Sequence, residues 1–214
     1  MKLSYAIPVC NEIDEIKRLL SFLIENKRDE DEIVIVYDSA NGTPEVREYL
    51  VSIDPGTSYQ PLQDYPVRWY GYDFDGDFGK MKNWLTDMCT GDYIFQIDAD
   101  EMVDEYVIGI LPQVLEHNVV DVIMVPRINT VEGLTPQHVS KWGWRLDENN
   151  WINFPDYQWR IYRNTESIRW KNRVHETLDG YTTISHLPRN PEWCLKHHKT
   201  IDRQEQQNKL YDTL

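Results

Sequence analysis

The stretch that most constrains this chain is residues 93–101, YIFQIDADE. Its apolar run, Tyr93, Ile94, Phe95 and Ile97, is the length of one buried strand. It stops on two carboxylates two residues apart, Asp98 and Asp100, with Glu101 directly behind. Alternate residues of a strand point the same way, so both aspartates can aim their oxygens at one point just past the sheet edge. A hard divalent cation suits that point: Mg²⁺ or Mn²⁺ held by one or two carboxylates keeps positions open for substrate phosphates. Solvated turn acids would give the same tripeptide, so the surrounding pattern has to decide.

That pattern alternates strand and helix. LSYAIPV (Leu3–Val9) reads as a buried strand. Asn11 then stands as N-cap, with Glu12, Asp14 and Glu15 in the first helical turn. Ile13, Ile16, Leu19, Leu20, Leu23 and Ile24 recur at helical spacing, and IVIVY at 33–37 is a β-branched run ending on Asp38. Buried runs joined by an amphipathic helix predict an α/β fold with a mostly parallel, Rossmann-like sheet. Ligands then bind beyond the C-terminal strand ends, which puts the 8–12 turn and Asp38 on one rim. Residues 52–66 read as loop and 67–72 as a third strand. Asp73, Asp75 and Asp77 imitate a calcium loop, but its glycine would fall on Phe78 and its glutamate on Trp84. Phe78, Met81, Leu85 and Met88 form a helix face closed by Gly91 as C′ residue; 103–118 reads as a helix interrupted by Pro112, and 119–126 as a strand.

From 127 onward the pattern loosens into an irregular region. Trp142, Trp144, Trp151, Trp159, Trp170 and Trp193 crowd it, as core packing or as faces for a sugar. QWRIYRN alternates like a strand and 200–211 reads as a polar closing helix. The chain is read as one domain, 1–214, with a ligand-binding part to about 126 and an acceptor-side part from 127.

The net charge of −14 is uneven: residues 1–140 carry 10 Lys/Arg against 26 Asp/Glu, and 141–203 carry 11 against 8. The acidic part argues against a nucleic-acid surface, and the later segment can receive an anion locally. Cys10, Cys89 and Cys194 are odd in number and widely spaced, which fits neither a disulfide framework nor a structural zinc site. With no signal-peptide pattern and no apolar window of membrane length, the expectation is a soluble, cytoplasmic protein.

Together, AIPVCNE, IVIVYDSANGT and YIFQIDADE resemble the ordered motifs of a glycosyltransferase family 2 enzyme of the GT-A fold. FGKMKN (78–83), PDYQWR (155–160) and VHE (174–176) are similar to the lipopolysaccharide core glucosyltransferase-like branch. Two departures stand out: the second-strand motif reads Tyr37-Asp38-Ser39-Ala40, and Lys82 replaces the usual arginine before Asn83. The resemblance implies an inverting transfer from a nucleotide-sugar, with a lean to UDP, onto a glycan, lipid or other hydroxyl acceptor. Pro8, Val9, Asn11, Glu12 and Asp38 would line the nucleoside pocket, with Lys82, Asn83, Asp98, Ala99 and Asp100 at the diphosphate. Mn²⁺ or Mg²⁺ would sit on Asp98 and Asp100. Asp156 is the first candidate base and Glu176 the second; Trp142, Trp144 and Arg160 fall on the acceptor side. A histidine from the C-terminal region completes the metal site. If 193–197 is a short strand, its alternation favours His197 over His198, with His175 as competitor. A nucleotidyltransferase, or a non-catalytic sugar- or nucleotide-binding protein, are the alternatives; the former would need a Gly-rich basic loop where this chain has PVCNE.

Overall fold

The computed structural model describes residues 1–53 and 67–211. The β1 strand (Leu3–Val9) lies between β2 (Glu32–Asp38) and β4 (Tyr93–Gln96), and β3 (Val67–Tyr72) continues the sheet beyond β2, all four parallel. The order β3-β2-β1-β4 means that the chain winds outward in both directions from β1. The helices divide accordingly. Side chains of α1 (Ile13–Asn26), α2 (Pro44–Ile53) and α4 (Glu105–His117) pack one face, through Leu19, Leu23, Leu50 and Leu111. The α3 helix (Phe78–Met88) packs the other face through Met81 and Leu85, beside the two-stranded β8 (Arg169–Lys171) and β9 (Thr177–Asp179). A topological switch point therefore lies at the C-terminal ends of β1 and β4, where sheets of this kind form their ligand crevice. The D-x-D tripeptide follows β4 there.

The last third is more regular than its sequence pattern. β7 (Asp156–Arg163) inserts antiparallel between β4 and β6 (Val122–Glu132). Beyond β6, β10 (Ile184–His186) and then β11 (Leu195–Thr200) pair with successive parts of it in parallel, and β11 carries β5 (Glu101–Met102). Among the described residues the sheet thus has nine strands, mostly in parallel pairing, flanked by helices, as expected of a GT-A fold. A bulge marks β7: Trp159 pairs with Met124 and Ile161 with Ile123, so Arg160 is the extra residue. Bulges re-aim side chains, and this one sits next to the D-x-D. The α6 helix (Ile201–Tyr211) follows β11, and a short α5 (Pro136–Trp142) follows β6.

Several local expectations need correction. Glu12, not Asn11, precedes α1; its carboxylate turns back to accept from the Cys10 and Asn11 amides at 2.8 and 3.0 Å. Gly91 is no helix terminator, because α3 ends at Met88 with Cys89 as its cap. It is needed for close approach, since a Cβ there would lie 2.7 Å from the Ser4 backbone nitrogen. The strand expected at 119–126 starts at Val122 and runs on to Glu132, and α4 continues through Pro112. Residues 52–53, expected in a loop, close α2; 54–66 of that loop lie outside the described residues. Trp193 belongs to a 3₁₀ turn (Pro191–Trp193) before β11 rather than to the strand.

Candidate active site

The turns after β1, β2 and β4, the strands β5, β6, β7 and β11, and the helices α3 and α6 build the site. Asp98 accepts from Arg160 Nη2 at 2.6 Å and from Gln96 Nε2 at 2.9 Å. Its backbone amide donates to Glu101 Oε2 at 3.1 Å. Glu101 is fully buried and also takes Arg160 Nη2 at 2.7 Å and Arg127 Nη1 at 3.0 Å. Burial would raise the Asp98 carboxyl, but Arg160, Lys82 and Arg127 outweigh it and hold the group below the ordinary carboxylate range. Arg160, expected on the acceptor side, is instead 3 % exposed and pinned under the D-x-D. Gln96 is buried too, and its carbonyl oxygen meets no hydrogen-bond donor among the described residues.

Asp100 faces a different set of partners. His197 Nε2 lies 3.3 Å from its Oδ2, Lys199 Nζ 3.6 Å and Arg203 Nη2 3.7 Å. Burial opposes ionisation of Asp100 as well, and His197, Lys199 and Arg203 reverse it, driving the carboxyl far below its usual range. The β11 alternation turns Leu195, His197 and Lys199 inward, while His198 is exposed and meets Thr130 Oγ1 at 2.9 Å. His175 is exposed on the β8–β9 turn at φ 54°. Arg203 also reaches Glu12 Oε1 at 3.1 Å and Glu15, so α6 is strapped across the rim to α1. The His197 imidazole and the Asp100 carboxylate together offer the mixed N/O donors that Mn²⁺ accepts. Among the described residues no three His, Cys, Asp or Glu side chains converge on one point. A cation on Asp100 and His197 would thus draw its other ligands from Asp98, substrate oxygens or water.

The remaining candidates divide between the site and its supports. Lys82, buried on α3, pairs with Glu176 Oε1 at 3.1 Å and sits 4.5 Å from the Trp170 ring centroid, which brings the FGKMKN and VHE segments together. Asn83 spends its amide on the Trp170 backbone, at 2.9 and 2.8 Å, and so holds β8 to α3 rather than facing the crevice. Asp38 is buried and folds its own turn: Ala40 and Asn41 amides donate to Oδ1 at 2.9 and 3.0 Å, and Asn41 Nδ2 to Oδ2 at 2.9 Å. Pro8 and Val9 end β1, and Ala99 is buried between the two aspartates. Asp156 accepts four hydrogen bonds: Arg127 Nε and Nη2 at 2.9 and 2.7 Å and Asn129 Nδ2 at 2.8 Å on Oδ2, and Gln158 Nε2 at 2.7 Å on Oδ1. Burial raises this carboxyl, but Arg127 and the amides dominate and hold it low. Trp142 and Trp144 are half-buried with ring centroids 4.6 Å apart, and His138 stacks on Trp142. The segment bearing them returns to the site where Ile152 N donates to Asn129 O at 3.0 Å.

Arg127, Asn129, Lys199 and Arg203 have no part in the sequence reading, although each touches a predicted residue. Periodicity could have found two of them, because Arg127 and Asn129 alternate with apolar Ile128 on the extended β6.

A family model described as "Glycosyl transferase family 2" matches residues 4–185. No curated protein matches the sequence. Among solved structures, S. aureus TarS 1–349 in complex with UDP-GlcNAc is similar at a TM-score of 0.64 and 16% identity, over 93% of this chain and 59% of that one. The same protein in complex with UDP gives 0.62 and 15%, over 98% and 64%, and TarS 1–349 alone 0.62 and 16%, over 92% and 60%. The chain therefore spans about 60% of the length of these structures, and at such identity the likeness is one of fold. Among the described residues no helix is long and apolar enough to cross a membrane.

Proposed function

Because the chain belongs to glycosyl transferase family 2, we propose that it is an inverting, metal-dependent transferase moving a sugar from a UDP-sugar to an acceptor hydroxyl. The observation that carries this reading is the placement of Asp98 and Asp100 at the sheet's switch point, with His197 Nε2 3.3 Å from Asp100. The lean to UDP draws support from the UDP-GlcNAc and UDP complexes of TarS. Asp100, His197 and Asp98 would hold Mn²⁺ or Mg²⁺, which would supply positive charge for the departing diphosphate. Lys82 adds a buried ammonium from the α3 side, and Arg160 holds Asp98 in place from beneath. The β1–α1 turn, folded by Glu12, and the Asp38 turn frame the nucleoside. Neither supplies the Gly-rich basic loop a nucleotidyltransferase needs.

The acceptor hydroxyl must lose a proton as it attacks the anomeric carbon from the face opposite the diphosphate. Glu176 takes that role in preference to Asp156, since among the described residues its carboxylate forms an ion pair with Lys82 alone, whereas Asp156 is consumed by four donors. Trp142 and Trp144 offer an aromatic face for a glycan, lipid-linked or other hydroxyl acceptor. Donor hydrolysis measured over a panel of nucleotide sugars with Mn²⁺ tests the reading. Release of UDP from a UDP-sugar, lost in Asp100→Ala, is expected. Transfer of a nucleotidyl group, or binding without turnover of any donor, would overturn it.

A further inference from the structure

We propose that Asn129 is a positioning residue: anchored by Asp156, it holds His197 in the tautomer that carries its proton on Nδ1 and turns the Nε2 lone pair onto Asp100. The bearing on cation binding rests on the function proposed above; the tautomer does not.

The argument begins with strand register. Asp156 on β7 stands opposite Arg127 on β6, and Asn129, two residues further along the same face of β6, stands opposite His197 on β11. Three strands thereby line up a carboxylate, an amide and an imidazole. Arg127 donates twice to Asp156 Oδ2, at 2.9 and 2.7 Å, and keeps that carboxylate ionised and able only to accept. The Asn129 group 2.8 Å from Asp156 Oδ2 must therefore be its NH₂. The other end of the amide, 2.7 Å from His197 Nδ1, is then its carbonyl oxygen, which also only accepts, so Nδ1 carries the proton. A side-chain orientation usually left open is fixed here by the charge at one end of the chain of contacts.

The consequence falls on the opposite edge of the ring. In the neutral imidazole Nε2 keeps its lone pair, and it lies 3.3 Å from Asp100 Oδ2. With that edge unprotonated, two acceptors face each other, and either a proton or a metal cation has to come between them. Metal-binding histidines are commonly oriented by a hydrogen bond from the other ring nitrogen to a carboxylate or carbonyl, and here the amide serves as intermediary. An aspartate at 129 would set a second carboxylate against Asp156, and an alanine would take the acceptor from His197 Nδ1 and one of four donors from Asp156. The neighbouring His198, bonded to Thr130 and 63% exposed, has no such arrangement. Asp156 thereby acquires a role other than proton acceptor.

The test reads the tautomer directly. Protein labelled with [¹⁵N]histidine is examined without metal by two-bond ¹H–¹⁵N spectra, with the pH raised until the His197 signals show the neutral ring. His197 is assigned by its loss in His197→Gln. The wild type should show Nδ1 protonated, and Asn129→Ala should lose that single tautomer. Mn²⁺ affinity with UDP present should fall about 10- to 100-fold. Nε2 protonated in the wild type, or an unchanged tautomer in Asn129→Ala, overturns the proposal. Should Asn129→Ala fail to fold, Asp156→Asn carries the same test, because it removes the charge that orients the amide. If Asp156→Asn abolishes turnover while tautomer and Mn²⁺ affinity stay as in the wild type, Asp156 is the base and the anchor role is refuted. A tautomer that changes as expected with no loss of Mn²⁺ affinity, or a wild type with none to lose, would instead defeat the metal reading and leave the positioning role standing.

Discussion

Replacing Glu101 by glutamine separates the charge beneath the D-x-D from its shape. Glu101 is fully buried and accepts from Arg160 Nη2 and Nε at 2.7 and 3.2 Å, Arg127 Nη1 at 3.0 Å and the Asp98 amide at 3.1 Å. Glutamine fits the volume but presents an NH₂ to one of those donors and removes the charge that balances two guanidinium groups. Breaking a buried ion pair costs about 3–5 kcal/mol when one charge is left alone. Here each arginine keeps one carboxylate, Asp98 for Arg160 and Asp156 for Arg127, so the lower end, about 3 kcal/mol, is expected. For a chain of this size that corresponds to a fall in Tm of about 6–12 °C. Calorimetry of wild type and Glu101→Gln, at neutral pH and equal concentration, measures it. A fall of less than about 2 °C would show that the two arginines do not depend on Glu101, and would refute the network as the support of Asp98.

Glu32 gives the pH dependence. Burial raises this carboxyl, but Lys2, Ser4, the Thr90 amide and Arg68 overcome it and bring the pKa from 4.5 to about 2. Because the folded value is depressed, its stabilisation, about 2 kcal/mol after screening, is present above pH 4.5 and lost as pH falls towards 2. The Tm difference between wild type and Glu32→Gln should therefore shrink between pH 5 and 2, and a constant difference would contradict the assignment. Gly91→Ala should cost about 1–3 kcal/mol in urea unfolding, since the new Cβ meets the Ser4 backbone at 2.7 Å; a change within 0.5 kcal/mol would show that β1 yields easily.

What the sequence makes legible here is local. The β1–α1–β2 unit and the D-x-D strand follow from their apolar pattern alone, because all three strands are buried on both faces. The extension of β6 to Glu132 is easy to miss, since only the short alternation Arg127-Ile128-Asn129 marks it and its polar members depart from the apolar run before them. Such violations concentrate where a fold builds a site. The α2 helix is hidden for the opposite reason: only Val46 and Leu50 are buried in its ten residues, too few to mark a period. Contacts between distant segments, such as Asn129 with His197 or Arg203 with Glu12, depend on registers and packing that no single segment encodes. His197 came within reach because alternation along one strand separates it from His198. Arg160 did not, because the bulge at that residue breaks the alternation.

The most direct test of the metal-dependent UDP-sugar reading is the thermal shift produced by UDP with Mn²⁺ and with EDTA. At about 100 times its Kd, UDP with Mn²⁺ should stabilise the protein by about 2.7 kcal/mol, or about 5–10 °C. With EDTA the shift should nearly vanish, because the diphosphate then approaches Asp98 and Asp100 without a cation between them. Equal shifts in the two conditions, or none in either, would contradict it.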